Sequence, residues 1–259
     1  MEQRFFDLSV SCYGAARQHR YDVALLPWGA TEAHNLHLPY LTDCILARDI
    51  AVDAARTLHE RHGLWAMVMP PVTMGAQNPG QRQLPFCVHA RYDTQRAILT
   101  DVVTSLREQG LNKLLIVSGH GGNNFKNMIR DLAVDYPDCW IASSEWFKQA
   151  NPHDFFDRPD DHADELETSV MMHYHPELVR ISEAGDGHHG GFAIPGLNDG
   201  TVWMPRNWSM VSHDTGIGDP HAATAEKGRR FTAACVDKYV DFLAAFAKAE
   251  KEEDLYLDY

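Results

Sequence analysis

The sequence predicts an α/β fold, a three-layer α/β/α sandwich built on a mainly parallel sheet. Two features of the chain carry that prediction. Short apolar runs alternate with longer amphipathic stretches, the order expected when strands are joined by helices that cover both faces of a sheet. Hydrophobic residues make up 44% and charged residues 23% of the 259 positions, which supplies enough apolar surface for one substantial core. No internal repeat, low-complexity segment or linker precedes the acidic stretch KAEKEEDLYLDY at the C-terminal end. A single domain over residues 1–259 is therefore expected.

Residues 23–27, 65–69, 114–117 and 140–142 read as buried strands, because each is a short run of apolar side chains. Helices are expected over residues 45–59, 94–109, 124–134 and 165–175, with a last one over about 222–247, where apolar residues recur at spacings of three and four. In open sheets of this kind ligands gather beyond the carboxyl ends of the strands. Two unusual segments fall there: GATEAHNLHLPYLTD directly after the first strand, and SGHGGNN after the strand at 114–117. Residues 77–89 and 185–220 are weakly periodic and rich in Gly and Pro. Loops this long are uncommon unless functional, and both are expected to wall a substrate site.

The formal charge of -13 argues against a nucleic-acid or anionic-membrane binder, which needs a basic patch to displace counterions. No apolar run is long enough to span a bilayer, and the N-terminal stretch lacks the apolar core of a signal peptide. Cys12, Cys44, Cys87, Cys139 and Cys235 are odd in number, scattered and free of C-x-x-C spacing. They point to a reducing cytoplasm rather than to a disulfide framework or a thiolate zinc site.

Glu32, His34, His37 and Asp43 lie within twelve residues and mix the imidazole and carboxylate donors that suit zinc, manganese or iron. In an extended segment the spacing of Glu32 and His34 points both side chains the same way, and Asp43 at the head of the next helix can fold back toward them. Taken singly, Asp43 reads as a helix cap and Glu32 as solvated surface; as a group after a buried strand they read as a metal site. His120 stands among Gly119, Gly121 and Gly122 at another strand exit. Those glycines also fit a turn that needs them for backbone conformation, with Asn123 or Asn124 capping the following helix. Glu167 shares a helical row with Met171 and Tyr174, so it needs a partner if it points inward and is ordinary surface if it does not. His162, just ahead of that helix, suits proton transfer or an ordinary loop position. No G-x-S-x-G elbow occurs, and Cys87 with His89 is a weak nucleophile pair, which makes covalent catalysis the lesser expectation.

Four segments together resemble the creatininase (creatinine amidohydrolase) family, over about residues 21–246. LPWGATEAHNLHLPYLTD resembles its LPxGsxEqHGpHLPxxTD signature, SGHGGNN its GHGGN turn, HADELETSVMM its HxGExETSlm segment and GIGDPHAATAEKG its GvxGDPxxAtxEkG segment. The family also includes formamidopyrimidine-type deformylases and the peptidase of mycofactocin maturation. The resemblance implies a creatininase-like sandwich holding one or two divalent ions per chain, zinc or manganese, with iron as a further option. Glu32 and His34 would each bind one of two ions, Asp43 would bridge them and His120 would complete the first site. His162 matches the catalytic histidine. His37 matches a histidine of the first motif, implied to stand behind the ligands or to face the substrate.

Departures from the pattern bear on substrate and metal. Creatinine-hydrolysing members carry a glutamate ligand two residues after the histidine matching His120, where this chain has Gly122; Glu167 becomes the candidate in its place. Trp146 falls where those members have one substrate-contacting tryptophan, whereas the other is missing from RPDDH, and their FPGT-like segment is LPFC here. A substrate other than creatinine is expected. The implied reaction is hydrolysis of a non-peptide C–N bond in a cyclic amide, formamide or related small molecule by a metal-bound hydroxide, with His162 protonating the leaving nitrogen. A peptidase acting on a small modified peptide and a non-catalytic metal- or ligand-binding protein are the alternatives. The resemblance also implies a homo-oligomer.

Overall fold

The computed structural model describes residues 2–257; the first residue and the last two of the expected domain lie outside the described residues. Four strands, β1 (Val23–Trp28), β2 (Ala66–Val68), β3 (Lys113–Ser118) and β4 (Trp140–Glu145), pair in the order β2-β1-β3-β4, all parallel. Successive strand residues point to opposite faces, and here both faces are dry. Val23, Leu25, Leu115 and Val117 enter one apolar cluster, while Ala24, Leu26, Leu114 and Ile116 enter the other. That two-sided burial is why the strands stand out in the sequence as unbroken apolar runs.

The helices are α1 (Tyr13–Ala16), α2 (Thr42–His62), α3 (Tyr92–Glu108), α4 (Lys126–Asp135), α5 (Glu165–Tyr174), α6 (Trp208–Val211) and α7 (Ala225–Lys248). Leu46 and Ile50 of α2, Leu166 and Val170 of α5, and Phe231 and Tyr239 of α7 fill the first cluster. Leu99 and Val103 of α3, with Met128 and Leu132 of α4, fill the second. The result is the expected three-layer α/β/α sandwich. The five long helices coincide with the five expected; the one-turn α1 and α6 lack the length for a periodic signal. Asp164 and Thr224 cap α5 and α7 by accepting the N–H groups of Glu167 and Lys227, and left-handed Gly63 closes α2. Among the described residues no helix is long and apolar enough to cross a membrane.

Helices α5 and α7 meet where Gly228 has no side chain: a Cβ there would come within 2.0 Å of the Ser169 carbonyl oxygen. Alanine at an exposed helical position outperforms glycine by about 1 kcal/mol, but here the forced separation of two packed helices dominates. Gly228→Ala is expected to lose about 2 kcal/mol of stability, measured as a lower midpoint in urea. A raised midpoint would show that the two helices separate freely.

Candidate metal centre

The carboxyl ends of β1 and β3 run directly against the first turn of α2, and two glycines make that approach possible. A Cβ on Gly29 would lie 2.6 Å from both Asp43 Cβ and the Cys44 nitrogen, and one on Gly119 would lie 2.2 Å from the Asp43 carbonyl oxygen. Asp43 is thereby held between the two strand ends, with His34 beside its Oδ1 and His120 beside its Oδ2. It is not a helix cap, since it sits inside the first turn of α2. None of Gly119, Gly121 and Gly122 has a positive φ, so these glycines serve close contact rather than an unusual backbone. Asn123 ties the turn down by accepting from the Ala76 N–H and donating to the Gly29 carbonyl, and Asn124 accepts from the Lys126 N–H.

Each of three buried histidines is tethered through one ring nitrogen to a backbone carbonyl. His34 Nδ1 donates to Glu32 O at 3.1 Å, His120 Nε2 to Ala76 O at 2.7 Å and His162 Nε2 to Ala33 O at 2.9 Å. A carbonyl only accepts, so these nitrogens carry the protons and the opposite nitrogens are left for other work. His34 Nε2 lies 2.9 Å from Asp43 Oδ1 and 4.0 Å from Glu167 Oε2. His120 Nδ1 lies 2.9 Å from Glu32 Oε1 and 3.3 Å from Asp43 Oδ2, while His162 Nδ1 is 3.7 Å from Glu32 Oε1.

The carboxylates are anchored in the same manner. Gln81 Nε2 donates to Glu32 Oε2 at 2.9 Å, and the Ala163 N–H donates to Glu167 Oε2 at 2.6 Å. Glu32 Oε1 and Asp43 Oδ2 have no hydrogen-bond partner among the described residues. Three carboxylates buried together, two of them with an orphaned oxygen, and the imidazole nitrogens that face them form a donor set that cations between them would satisfy. Three sets bring one atom of each member within 4.8 Å of the others: Glu32, Asp43 and His120; His34, Asp43 and Glu167; and Glu32, His34 and His162. The donor set therefore fits divalent ions, and Asp43 belongs to two of the three sets.

Protonation follows from the same crowding. Burial disfavours the His34 cation, but Asp43, then Glu167 and Glu32, outweigh it and raise its pKa to about 10. Against the same penalty, Glu32 and Asp43 raise His120 well above its ordinary value. Burial, with Asp43 and Asp164 adding to it, pushes Glu167 up to about 8. Without metal, then, His34, His120 and Glu167 hold protons at pH 7 that ions must displace. Zinc loading at pH 7 is expected to release about three protons per chain, seen as a calorimetric heat that changes with the ionisation enthalpy of the buffer. Equal heats in phosphate and Tris would contradict it.

The creatininase family model, described as creatinine amidohydrolase, matches residues 9–243. The chain belongs to the creatininase family. A crystal structure of a Bacteroides fragilis NCTC 9343 chain, provisionally named creatinine amidohydrolase, superposes with a TM-score of 0.94 at 57% identity, covering 96% of this chain and 99% of that one. The mycofactocin precursor peptide peptidase of Mycobacterium ulcerans is 30% identical over 229 residues, 85% of this chain and 84% of that protein. Two solved creatininases, a zinc–zinc form of a glutamate-to-glutamine mutant and a manganese form, superpose with TM-scores of 0.72 and 0.71 at 20% and 19% identity, each covering 92% of this chain and 96% of theirs. At that identity they show the shared creatininase fold alone.

The departures from the creatininase pattern have physical reasons in this chain. At Gly122 a Cβ would meet the Ala76 carbonyl oxygen at 2.3 Å and His120 Nε2 at 2.5 Å; the bond that orients His120 leaves no room for a glutamate. Glu167 instead reaches the cluster from α5. Trp146 corrects the expectation of a substrate contact. It is fully buried, edge-on against Phe147 and Phe231 in the cluster beneath α7, and off the cleft. His37 likewise is not among the residues that line the cleft: its Nε2 bonds Thr168 Oγ1 at 2.8 Å and so braces α5 behind the cluster. Cys87 and His89 form no nucleophile pair, since the thiol accepts from the Ala33 N–H and the ring from the Gln77 N–H.

The cluster floors a cleft of about 1170 Å³, walled in part by both long loops through Gln77, Asn78 and Gln81 and through Trp203, Arg206 and Trp208. The sequence marked those loops as walls without marking these side chains. Trp208 is buried, with its ring edge-on to His162 at 5.2 Å between centroids and its Nε1 donating to Thr215 O. It thus fixes the plane of the catalytic candidate.

Proposed function

We propose that this creatininase-family chain is a metal-dependent hydrolase of a small-molecule amide, cleaving a non-peptide C–N bond in a cyclic amide, formamide or related compound. One observation carries the proposal: three imidazoles, each tethered through one nitrogen, turn the other toward three buried carboxylates at the floor of a cleft. Glu32, Asp43 and His120 would hold one divalent ion and His34, Asp43 and Glu167 a second, with Asp43 common to both. Zinc and manganese, named for the solved creatininases, both suit this mixed nitrogen and oxygen set. Such ions, when bound, lower the pKa of water and polarise a carbonyl.

The remaining work belongs to the chain. Tethered through Nε2, His162 has Nδ1 as its working nitrogen, and burial together with the neighbouring His34 holds its pKa below the ordinary value. A neutral imidazole so placed accepts a proton at Nδ1 and returns it to the departing nitrogen. Gln81 keeps Glu32 Oε1 turned inward by holding Oε2. The buried Trp208 packs edge-on against the His162 ring and holds it in place at the cleft wall.

A second assignment, cleavage of a small modified peptide, is favoured by the 30% identity with the mycobacterial peptidase. The cleft also exceeds the usual volume of a small-ligand pocket, about 300–1,000 Å³. Protein reconstituted with zinc or manganese and screened against cyclic amides, formamides and short peptides decides between them. Turnover confined to the small amides supports the proposal, and turnover confined to peptides reverses it. Full metal occupancy with tight ligand retention and no turnover of either class would instead identify a binding protein.

A further inference from the structure

The sheet is covered at one edge and bare at the other. Beside β2 the N-terminal segment acts as the cover, since the Val68 N–H donates to Phe6 O at 2.8 Å. The β4 edge has no such neighbour. The Trp140 N–H donates to Asn112 O at 2.7 Å, and the main-chain groups of a strand alternate sides, so Ile141, Ser143 and Glu145 turn theirs away from β3. Among the described residues no hydrogen bond reaches the N–H or C=O of Ile141 and Ser143, or the N–H of Glu145. Ser143 is exposed. The usual guards of a bare edge, a Pro, a Lys or a bulge, are missing from the WIASSE strand, which stays in register with β3 throughout.

This edge opens into the cleft. Ser143, Ser144 and Glu145 line it together with the cluster at its floor, and the pairing of Glu145 with Ser118 sets the end of β4 beside the turn that carries His120. The lining continues on both faces of the sheet. Phe125, just ahead of α4, belongs to one apolar cluster, while Phe147 and Ala150 pack against the other. A strand added to β4 would lie between these walls, with its side chains directed at each in turn.

We propose that the β4 edge receives an extended peptide segment as a fifth strand, its main chain bonded to Ile141, Ser143 and Glu145 and its end directed at the metal cluster. In strand addition main-chain hydrogen bonds give affinity, and flanking walls read alternate side chains. Only a main chain repeats donor and acceptor at strand spacing. Because the bare groups lie in the wall of the cleft that holds the cluster, the occupant is a substrate segment rather than a second copy of β4. The inference develops the second assignment, a small modified peptide, and it is read from binding, so it holds or fails apart from which bond is cleaved.

The test is calorimetric titration of the metal-loaded protein with the peptide acetyl-Thr-Val-Thr-Val-amide. A version N-methylated at two alternate residues keeps one bonding edge free and is expected to bind as the parent does. A version N-methylated at two adjacent residues is obstructed on both edges and is expected to bind about tenfold more weakly. Ser143→Pro removes an outward N–H without touching the ladder to β3. It is expected to weaken the parent peptide about tenfold with metal content unchanged, while Ser143→Ala, which keeps the N–H, binds as wild type does. Should Ser143→Pro fail to fold, the two methylated peptides decide alone. Equal binding of those two overturns the inference, as does a folded Ser143→Pro protein that binds the parent like wild type. No binding of the parent peptide overturns it as well, and an oligomer that dissociates in Ser143→Pro would then give the edge to a second copy. If the peptides bind as expected and only small amides are hydrolysed, the edge keeps its role and the second assignment falls.

Discussion

Asp43→Asn is expected to abolish stoichiometric metal binding and to reduce turnover by about a thousandfold or more. The side chain is shared by two of the three ligand sets, so its loss removes a donor from both ions at once. Asn keeps the volume of Asp between the two glycine contacts and so spares the packing of β1 and β3 on α2. It loses the charge that faces His34 Nε2 at 2.9 Å and His120 Nδ1 at 3.3 Å. Divalent ions contribute several kcal/mol of charge stabilisation in reactions of this type, and each 1.36 kcal/mol is tenfold in rate. Metal analysis after reconstitution with zinc or manganese checks the first effect, and turnover of whichever amide the wild type hydrolyses checks the second. Asp49→Asn is the control, because Asp49 lies farther along α2 and pairs with His175 at 2.6 Å. If Asp43→Asn retains two equivalents of metal while Asp49→Asn does the same, the cluster is not the metal site.

That Asp43 lies beside Glu32 and His34 was readable from the sequence, because the three are near neighbours and the strand before them is a plain apolar run. Strands buried on both faces announce themselves in this way, and β1 to β3 fell within a few residues of their expected places. The half-buried β4 extends farther than expected, to Glu145, because its later residues Ser143, Ser144 and Glu145 are polar. The start of α2 was obscured in the same way, since Thr42 and Asp43 are buried polar residues inside its first turn. What no local pattern encodes is contact over long separations. Gln81 reaches Glu32 across 49 positions, and Trp208 meets His162 from a loop with no periodicity. Trp146 misled for a related reason: likeness of position does not fix which side of the sheet a residue faces where β4 ends. The glycines around His120 were legible as a tight turn, while their function as clearance for Asp43 and for the Ala76 carbonyl required the fold.

His162→Ala should lower kcat by a factor of about 10² to 10⁴, the usual range for a lost proton carrier, while leaving the metal content at the wild-type value. The two outcomes must be read together, because Glu32, His34 and His162 also lie close enough to hold an ion. Geometry separates the roles. His34 and His120 each bring a free nitrogen within 3 Å of a carboxylate oxygen, whereas His162 Nδ1 stands 3.7 Å from Glu32 Oε1. Its ring lies between His34, 4.3 Å away between centroids, and the edge of Trp208. An imidazole held beside the ligands rather than among them can exchange a proton with a substrate without unbinding a metal. Added imidazole is then expected to restore part of the activity of the alanine variant, because truncation leaves a ring-sized space beside the Ala33 carbonyl. Restoration with full metal content assigns His162 to proton transfer. Loss of an equivalent of metal, with no restoration by imidazole, would instead make His162 a ligand and leave the proton to another group on the cleft wall.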